Sequence, residues 1–310
     1  MPAIMTHHLF GEDASSALPE GTLADQEQLL AFLLGNQGPD PLWARFLGLP
    51  LEVSSCHRAA QAMHKEAVVE TLFAIRDHIG TLSATDGAIG RAFLLGFAAH
   101  YLLDSMAHPL VLAQVAELVE VAPELAGAQS ELHALIESDV DTWILWQKRH
   151  KTIRESPVHV TLVSTPRIDR VTGVIMARAA GTAHGISLGS SSYPKALRDY
   201  RLIYRLIDPP AQRLPRMLQG IERLGRAHSR IEAQRHRVLD SDECASANLL
   251  HRRWSNPHTG EVSCASVADL FHDALLAWPV FAQRIMAGDR SRIEAMVAGI
   301  DYYGRPNGYE

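Results

Sequence analysis

The chain has 310 residues, 47% hydrophobic and 21% charged, with a net charge of −6 when histidine is neutral. This is ordinary globular composition with enough apolar mass for a sizeable core, and the acidic balance gives no electrostatic ground for nucleic acid or an anionic membrane as partner. Three scattered cysteines, Cys56, Cys244 and Cys264, with no CxxC, argue against a disulfide framework and suit a reducing compartment.

The opening MPAIMTHHLFGEDASS has neither a basic n-region nor a long apolar h-region, so it does not read as a secretory signal. The longest apolar stretch, 92–103, is broken by His100 and closed by Asp104, well short of the ~20 residues a membrane span needs. The expectation is a soluble, cytoplasmic protein.

Helical periodicity dominates the chain. LADQEQLLAFLLGN predicts a helix over 23–36, closed by a turn at QGPDP in which prolines flank Asp40. A long amphipathic helix is expected over 57–79. The next opens on a Ser83 or Thr85 cap and runs to His108, where Pro109 should kink or end it. A fourth is expected over 130–150 with Ser130 as N-cap. The pattern weakens over 151–194, which reads as an irregular connection with VHVTLVS (158–164) as a short strand. Helices resume at 195–207, 211–239, 242–254, 264–287 and 289–299, and the tail DYYGRPNGYE reads as irregular. The fold class is all-α, a multi-helix bundle with histidines projecting inward and a metal cluster in the core. Residues 1–150 would form the metal-binding core and 195–310 would pack on it, as one structural domain.

The chain carries 16 histidines, more than half of them before residue 151. His100, Asp104 and His108 stand at i, i+4 and i+8, one face of a helix, among apolar neighbours. A single histidine on such a face is usually a hydrogen-bonded core residue. An ionised carboxylate buried there without partners is very costly, and a metal removes the problem. His133 and Glu137 repeat the i, i+4 spacing, with Asp141 one turn further, although ESDVD also reads as a solvated acidic face. Asp40 in its turn, His64 on an amphipathic helix, and the His7–His8 pair complete the candidates. Each of these has an ordinary surface or core explanation in isolation, and residue chemistry does not separate His7 from His8.

The order MPAIMTHHLFG, LLGNQGPDPLW, AMHKE, HYLLDSMAH and HALIE resembles the zinc-dependent phospholipase C family. The likeness covers roughly residues 5–145; the C-terminal half, including WSNPHTGEVSCASVADLFHDAL, resembles it only loosely. The resemblance implies a helical protein with up to three metals. One would use Asp40, His64, His100 and Asp104; a second His108, His133 and Glu137; a third His7, sharing Asp104 as a bridge. Nitrogen and carboxylate ligands without thiolate suit Zn²⁺, with Mn²⁺ or Fe²⁺ as alternatives. The implied activity is a phosphoesterase in which a metal-activated hydroxide attacks a phosphodiester, with Asp40 as the catalytic carboxylate and a phospholipid or other phosphate ester as substrate. A nuclease or nucleotidase of the same superfamily, or a non-catalytic metal- or lipid-binding protein, is the alternative. Three features depart from the secreted enzymes. No processed N-terminal amine stands ready as a ligand, the Asp104–His108 spacing is shorter, and Pro41 replaces the aromatic residue of their choline box. Choline specificity is therefore not implied. Trp43 and Phe46 read as core residues or as a substrate wall, with core preferred.

Overall fold

A computed structural model of the chain describes residues 4–211, 213–222 and 227–306. The described residues form an all-α fold whose helices are α1 (Ile4–Ser16), α2 (Gln26–Gly35), α3 (Pro50–Lys65), α4 (Val68–Ile79), α5 (Ala84–Val121), α6 (Gln129–Arg149), α7 (Pro166–His184), α8 (Ser192–Ile207), α9 (Arg213–Glu222), α10 (Arg230–Gln234), α11 (Val267–Ala287) and α12 (Arg290–Val297). A two-residue antiparallel hairpin, β1 (Trp254–Ser255) and β2 (Val262–Ser263), precedes α11. The buried apolar cluster runs from Ile4 on α1 to Tyr302 beyond α12.

The 38-residue α5 is the axis of the bundle, packed against α1, α2, α4, α6, α7 and α11. Its apolar residues are buried nearly all round from Ile89 to Leu103, which is what a central helix requires. Length and composition alone would also let α5 span a bilayer, a test that the core helix of a globular protein passes equally. The closest approach is to α2, where Gly96 meets the Phe32 carbonyl and Gly35 meets the Phe93 carbonyl. Ser83 caps α5 by accepting the Asp86 N–H at 3.2 Å.

Several boundaries differ from the sequence reading. The single helix expected over 57–79 is two, α3 and α4, because Ala67 adopts the left-handed conformation (φ 50°) and turns the chain. Pro109 does not end α5. Packing of the flanking Leu110, Val111 and Val115 outweighs the lost backbone bond, and the helix runs 12 residues further. Ser130 is not the cap of α6, which starts at Gln129 with Ala128 at the N-cap position and no side-chain bond. The 151–194 segment is not irregular throughout. Thr165 caps α7, Pro166 occupies its first turn and Gly185 closes it at φ 65°. VHVTLVS contains a 3-10 turn, Val158–Val160, rather than a strand. The helix expected over 211–239 is α9 and α10, with residues 212 and 223–226 outside the described residues. That expected over 242–254 shrinks to a 3-10 turn, Ala245–Ala247, because Asn248 and His251 are left-handed. The helices α11 and α12 lie where expected, α11 with a Ser266/Asp269 capping box. No sequence signal marked α1.

Candidate metal centre

The stripe on α5 faces inward. His100 is fully buried, Asp104 and His108 nearly so. Each of the other candidates reaches it from a different element. The turn after α2 places the Asn36 carbonyl 3.0 Å from His100 Nδ1, fixing that ring with Nε2 forward. At Gly38 the backbone is left-handed (φ +51°), and a β-carbon would lie 2.2 Å from the His100 ring, so only glycine fits. Asp40 follows at the start of a 3-10 turn, Asp40–Ala44. His64, in the last turn of α3, donates from Nδ1 to the Ala60 carbonyl at 2.7 Å, which sets its Nε2 2.9 Å from Asp40 Oδ1. On α6, His133 Nε2 lies 2.9 Å from Glu137 Oε1, and His108 Nε2 lies 3.3 Å from the same oxygen. From α1, His7 Nε2 reaches Asp104 Oδ1 at 2.9 Å, whereas His8 turns to Glu12 at 3.6 Å.

Three groups of potential ligand atoms result: His7, His100 and Asp104; Asp40, His64 and His100; His108, His133 and Glu137. All eight residues singled out in the sequence thus lie in one contiguous cluster. A tetrahedral zinc with bonds of 2.0–2.1 Å sets its ligand atoms ~3.3 Å apart. His100 Nε2 lies 3.6 Å from Asp40 Oδ2 and 3.3 Å from Asp104 Oδ2. Both Asp40 Oδ2 and His100 Nε2 are buried and have no hydrogen-bond partner. Two facing polar atoms left unsatisfied in a core are costly, and a bound cation would satisfy both.

The electrostatics fit the same end. Burial, then the neighbouring His7, push His100 down to about 4, so it is neutral and able to ligate. Burial also opposes charge on His108, but Asp104 and Glu137 overcome it and push it up to about 9. Burial would raise the Asp104 and Glu137 carboxyls; the rings around them instead hold both well below the usual carboxylate range. Asp40 is likewise lowered against its burial, by His100 and His64. The carboxylates therefore stay ionised and demand positive charge.

A cleft of about 470 Å³ opens on the cluster. Lys65, His258, Tyr303 and Arg305 also line it, and Trp43 lies near Asp40 in sequence and in the lining. The C-terminal segment brings Tyr303 there. The Tyr302 N–H donates to the His64 carbonyl at 3.1 Å, and the Tyr303 ring lies tilted against His108, 5.2 Å between centroids. Asp301 holds Arg305 through its Nε at 2.8 Å. Trp43 is partly buried with its ring 6.2 Å from His64, so it is both core and wall. Phe46 is neither; it is 47% exposed. Sequence reasoning missed this wall because DYYGRP has no periodicity and lies far from the recognisable motifs. The amine of the N-terminus lies outside the described residues.

A family model described as zinc-dependent phospholipase C matches residues 6–180, a span that contains all eight cluster residues. No curated protein and no solved structure matches the chain.

Proposed function

The chain belongs to the zinc-dependent phospholipase C family, and from that premise we propose that it is a zinc-dependent phosphodiesterase acting on phospholipids or related phosphate esters. The pair of buried, unpartnered atoms Asp40 Oδ2 and His100 Nε2, within three converging ligand groups, carries this proposal. Zinc ions held by the cluster would polarise a phosphoryl oxygen and lower the pKa of an attacking water toward neutrality.

The protein groups have distinct tasks. Asp40 is tied to His64 through Oδ1, which leaves the buried Oδ2, 3.6 Å from His100 Nε2, to hold a metal, and the carboxylate would orient the attacking water and accept its proton. Asp104 contacts His7 and His100 through different oxygens, and because His100 also belongs to the group with Asp40 and His64, the carboxylate would stand between two metal positions. Trp43 and Tyr303 give the cleft apolar flanks, while Lys65 and Arg305 attract the phosphate. The proposed complement is two or three zinc ions, and the unpaired cysteines accord with a cytoplasmic setting.

Protein purified without chelator should contain at least two zinc ions per chain and hydrolyse phosphatidylglycerol or bis(p-nitrophenyl) phosphate. Chelation should abolish turnover and lower Tm, because a ligand bound only by the folded state stabilises it. Less than one tightly bound metal would sink the proposal. Filled sites with no turnover on any phosphodiester would point to a binding protein.

The cleft also predicts a head-group preference. All its lining carboxylates, Asp40, Asp104 and Glu137, belong to the ligand groups, which leaves Lys65 and Arg305 facing the substrate. Phosphodiesters without a compensating cation, such as phosphatidylglycerol, should be preferred over phosphatidylcholine. Arg305 is a poor test, since removing it strands buried Asp301. Lys65 is exposed, and Lys65→Gln should leave Tm unchanged while cutting the preference roughly threefold to tenfold, the scale of one partly screened charge contact. An unchanged ratio of kcat/KM for the two lipids would contradict it.

A further inference from the structure

We propose that Asp141, locked by His236 and Asp208, is the positioning residue for His7, and through it for the metal position that His7 shares with Asp104. This role rests on the cluster being a metal centre.

The ring of His7 lacks the support its neighbours have. Each of His64, His100 and His108 sets its Nδ1 against a backbone carbonyl, of Ala60, Asn36 and Asp104 respectively. Such bonds normally fix the orientation of a metal-ligating imidazole. Buried Nδ1 of His7 has no hydrogen-bond partner. Apart from Asp104, 2.9 Å from its Nε2, and the His100 ring 4.1 Å away, which belong to the same ligand group, its aim comes from where the backbone of α1 is held.

The Ile4 carbonyl accepts from Gln37 Nε2 at 3.2 Å, and the free N–H groups of the first turn are held by one carboxylate. The first N–H groups of any α-helix lack intrahelical acceptors. Here the N–H groups of Met5 and Thr6 donate to Asp141 at 2.9 and 2.7 Å, and the Thr6 hydroxyl donates to it at 2.7 Å. Asp141 stands one turn beyond Glu137 and two beyond His133 on α6. The helix that supplies those two candidate ligands thus also fixes the turn that carries His7.

Asp141 is fully buried, and its charge is compensated from the far half of the chain. His236 donates through Nε2 to Asp141 Oδ2 at 3.1 Å and through Nδ1 to Asp208 Oδ2 at 3.0 Å. Donation from both nitrogens requires the imidazolium form. Despite burial, Asp208 and Asp141 push His236 up to about 10. With two donors on each oxygen, the Asp141 carboxylate has its acceptor capacity filled, so it is an anchor and not a further ligand. Asp208 and His236 lie beyond the 6–180 match, so the clamp joins the family core to the C-terminal part.

The test measures zinc content and zinc affinity against a chromophoric chelator in wild type, His7→Ala, Asp141→Asn and the double variant. The Asn amide would face a donor whichever way it turns. Asp141→Asn should lose the same single zinc as His7→Ala, or bind it roughly tenfold to a hundredfold more weakly, and keep the others. The double variant should be no worse than His7→Ala alone, because both changes act on one ligand. If Asp141→Asn does not fold, His236→Gln should weaken the same zinc by a smaller factor. Wild-type zinc binding in folded Asp141→Asn or His236→Gln would overturn the role, as would uniform weakening of every zinc. A wild-type chain with less than one zinc would overturn the metal centre itself and this role with it.

Discussion

Asp104→Asn is expected to abolish phosphodiesterase activity, lowering kcat/KM by about a thousandfold or more, the scale of several kcal/mol of metal-derived stabilisation. The reason is the number of groups on one carboxylate. Oδ1 lies 2.9 Å from His7 Nε2 and 3.5 Å from His108 Nδ1, and Oδ2 lies 3.3 Å from His100 Nε2. An asparagine keeps one acceptor oxygen and replaces the other with a donor, and it carries no charge. The remaining oxygen could serve one ligand group but not two. His133→Ala, by contrast, touches only the group with His108 and Glu137. Elemental analysis should therefore find more zinc lost from Asp104→Asn than from His133→Ala. Equal losses would mean that Asp104 does not join two sites.

The inner stripe of this centre was legible because helical spacing survives in sequence. His100, Asp104 and His108 lie on one face whatever the rest of the fold does, and His133 with Glu137 repeats the rule. Asp40 was legible through its bracketing prolines. The resemblance to the family added the order of these elements, and the geometry separated His7 from its neighbour His8. Other features had no local signal. The helix bearing His7 carries no apolar period, and its start is set by Asp141, 135 residues away from Thr6. The clamp of Asp141, His236 and Asp208 is a purely tertiary arrangement, as is the wall of Tyr303 and Arg305.

Some local signals are outweighed by packing or are ambiguous on their own. Pro109 marks a helix end by its chemistry, yet burial on either side carries α5 through it. Thr165–Pro166 is a sound helix start, yet the same STPRID composition reads equally as loop. Ala67 shows the converse. Nothing in an alanine announces a left-handed turn, so the division of α3 from α4 was invisible.

Gly96→Ala should be strongly damaging to both the core and the site, although it touches no ligand. A β-carbon there would lie 2.0 Å from the Phe32 carbonyl oxygen, 2.9 Å from the Asn36 nitrogen and 2.9 Å from the Gly35 α-carbon. These are backbone atoms, so no side-chain rotation relieves them and α2 must move off α5. Alanine gains about 1 kcal/mol over glycine in helix propensity, while overpacking a tight contact costs about 3 kcal/mol or more. The clash wins, and Tm should fall by about 5 °C or more. The site should suffer with it. Asn36, at the end of α2, holds His100 one turn beyond Gly96, so zinc at the Asp40, His64 and His100 group should bind at least about tenfold more weakly. Gly181→Ala on α7 is the control. No atom lies within 4 Å of its β-carbon, so propensity alone should act and Tm should hold or rise. If Gly96→Ala matched wild type in both Tm and zinc affinity, the contact between α2 and α5 would not be what places His100.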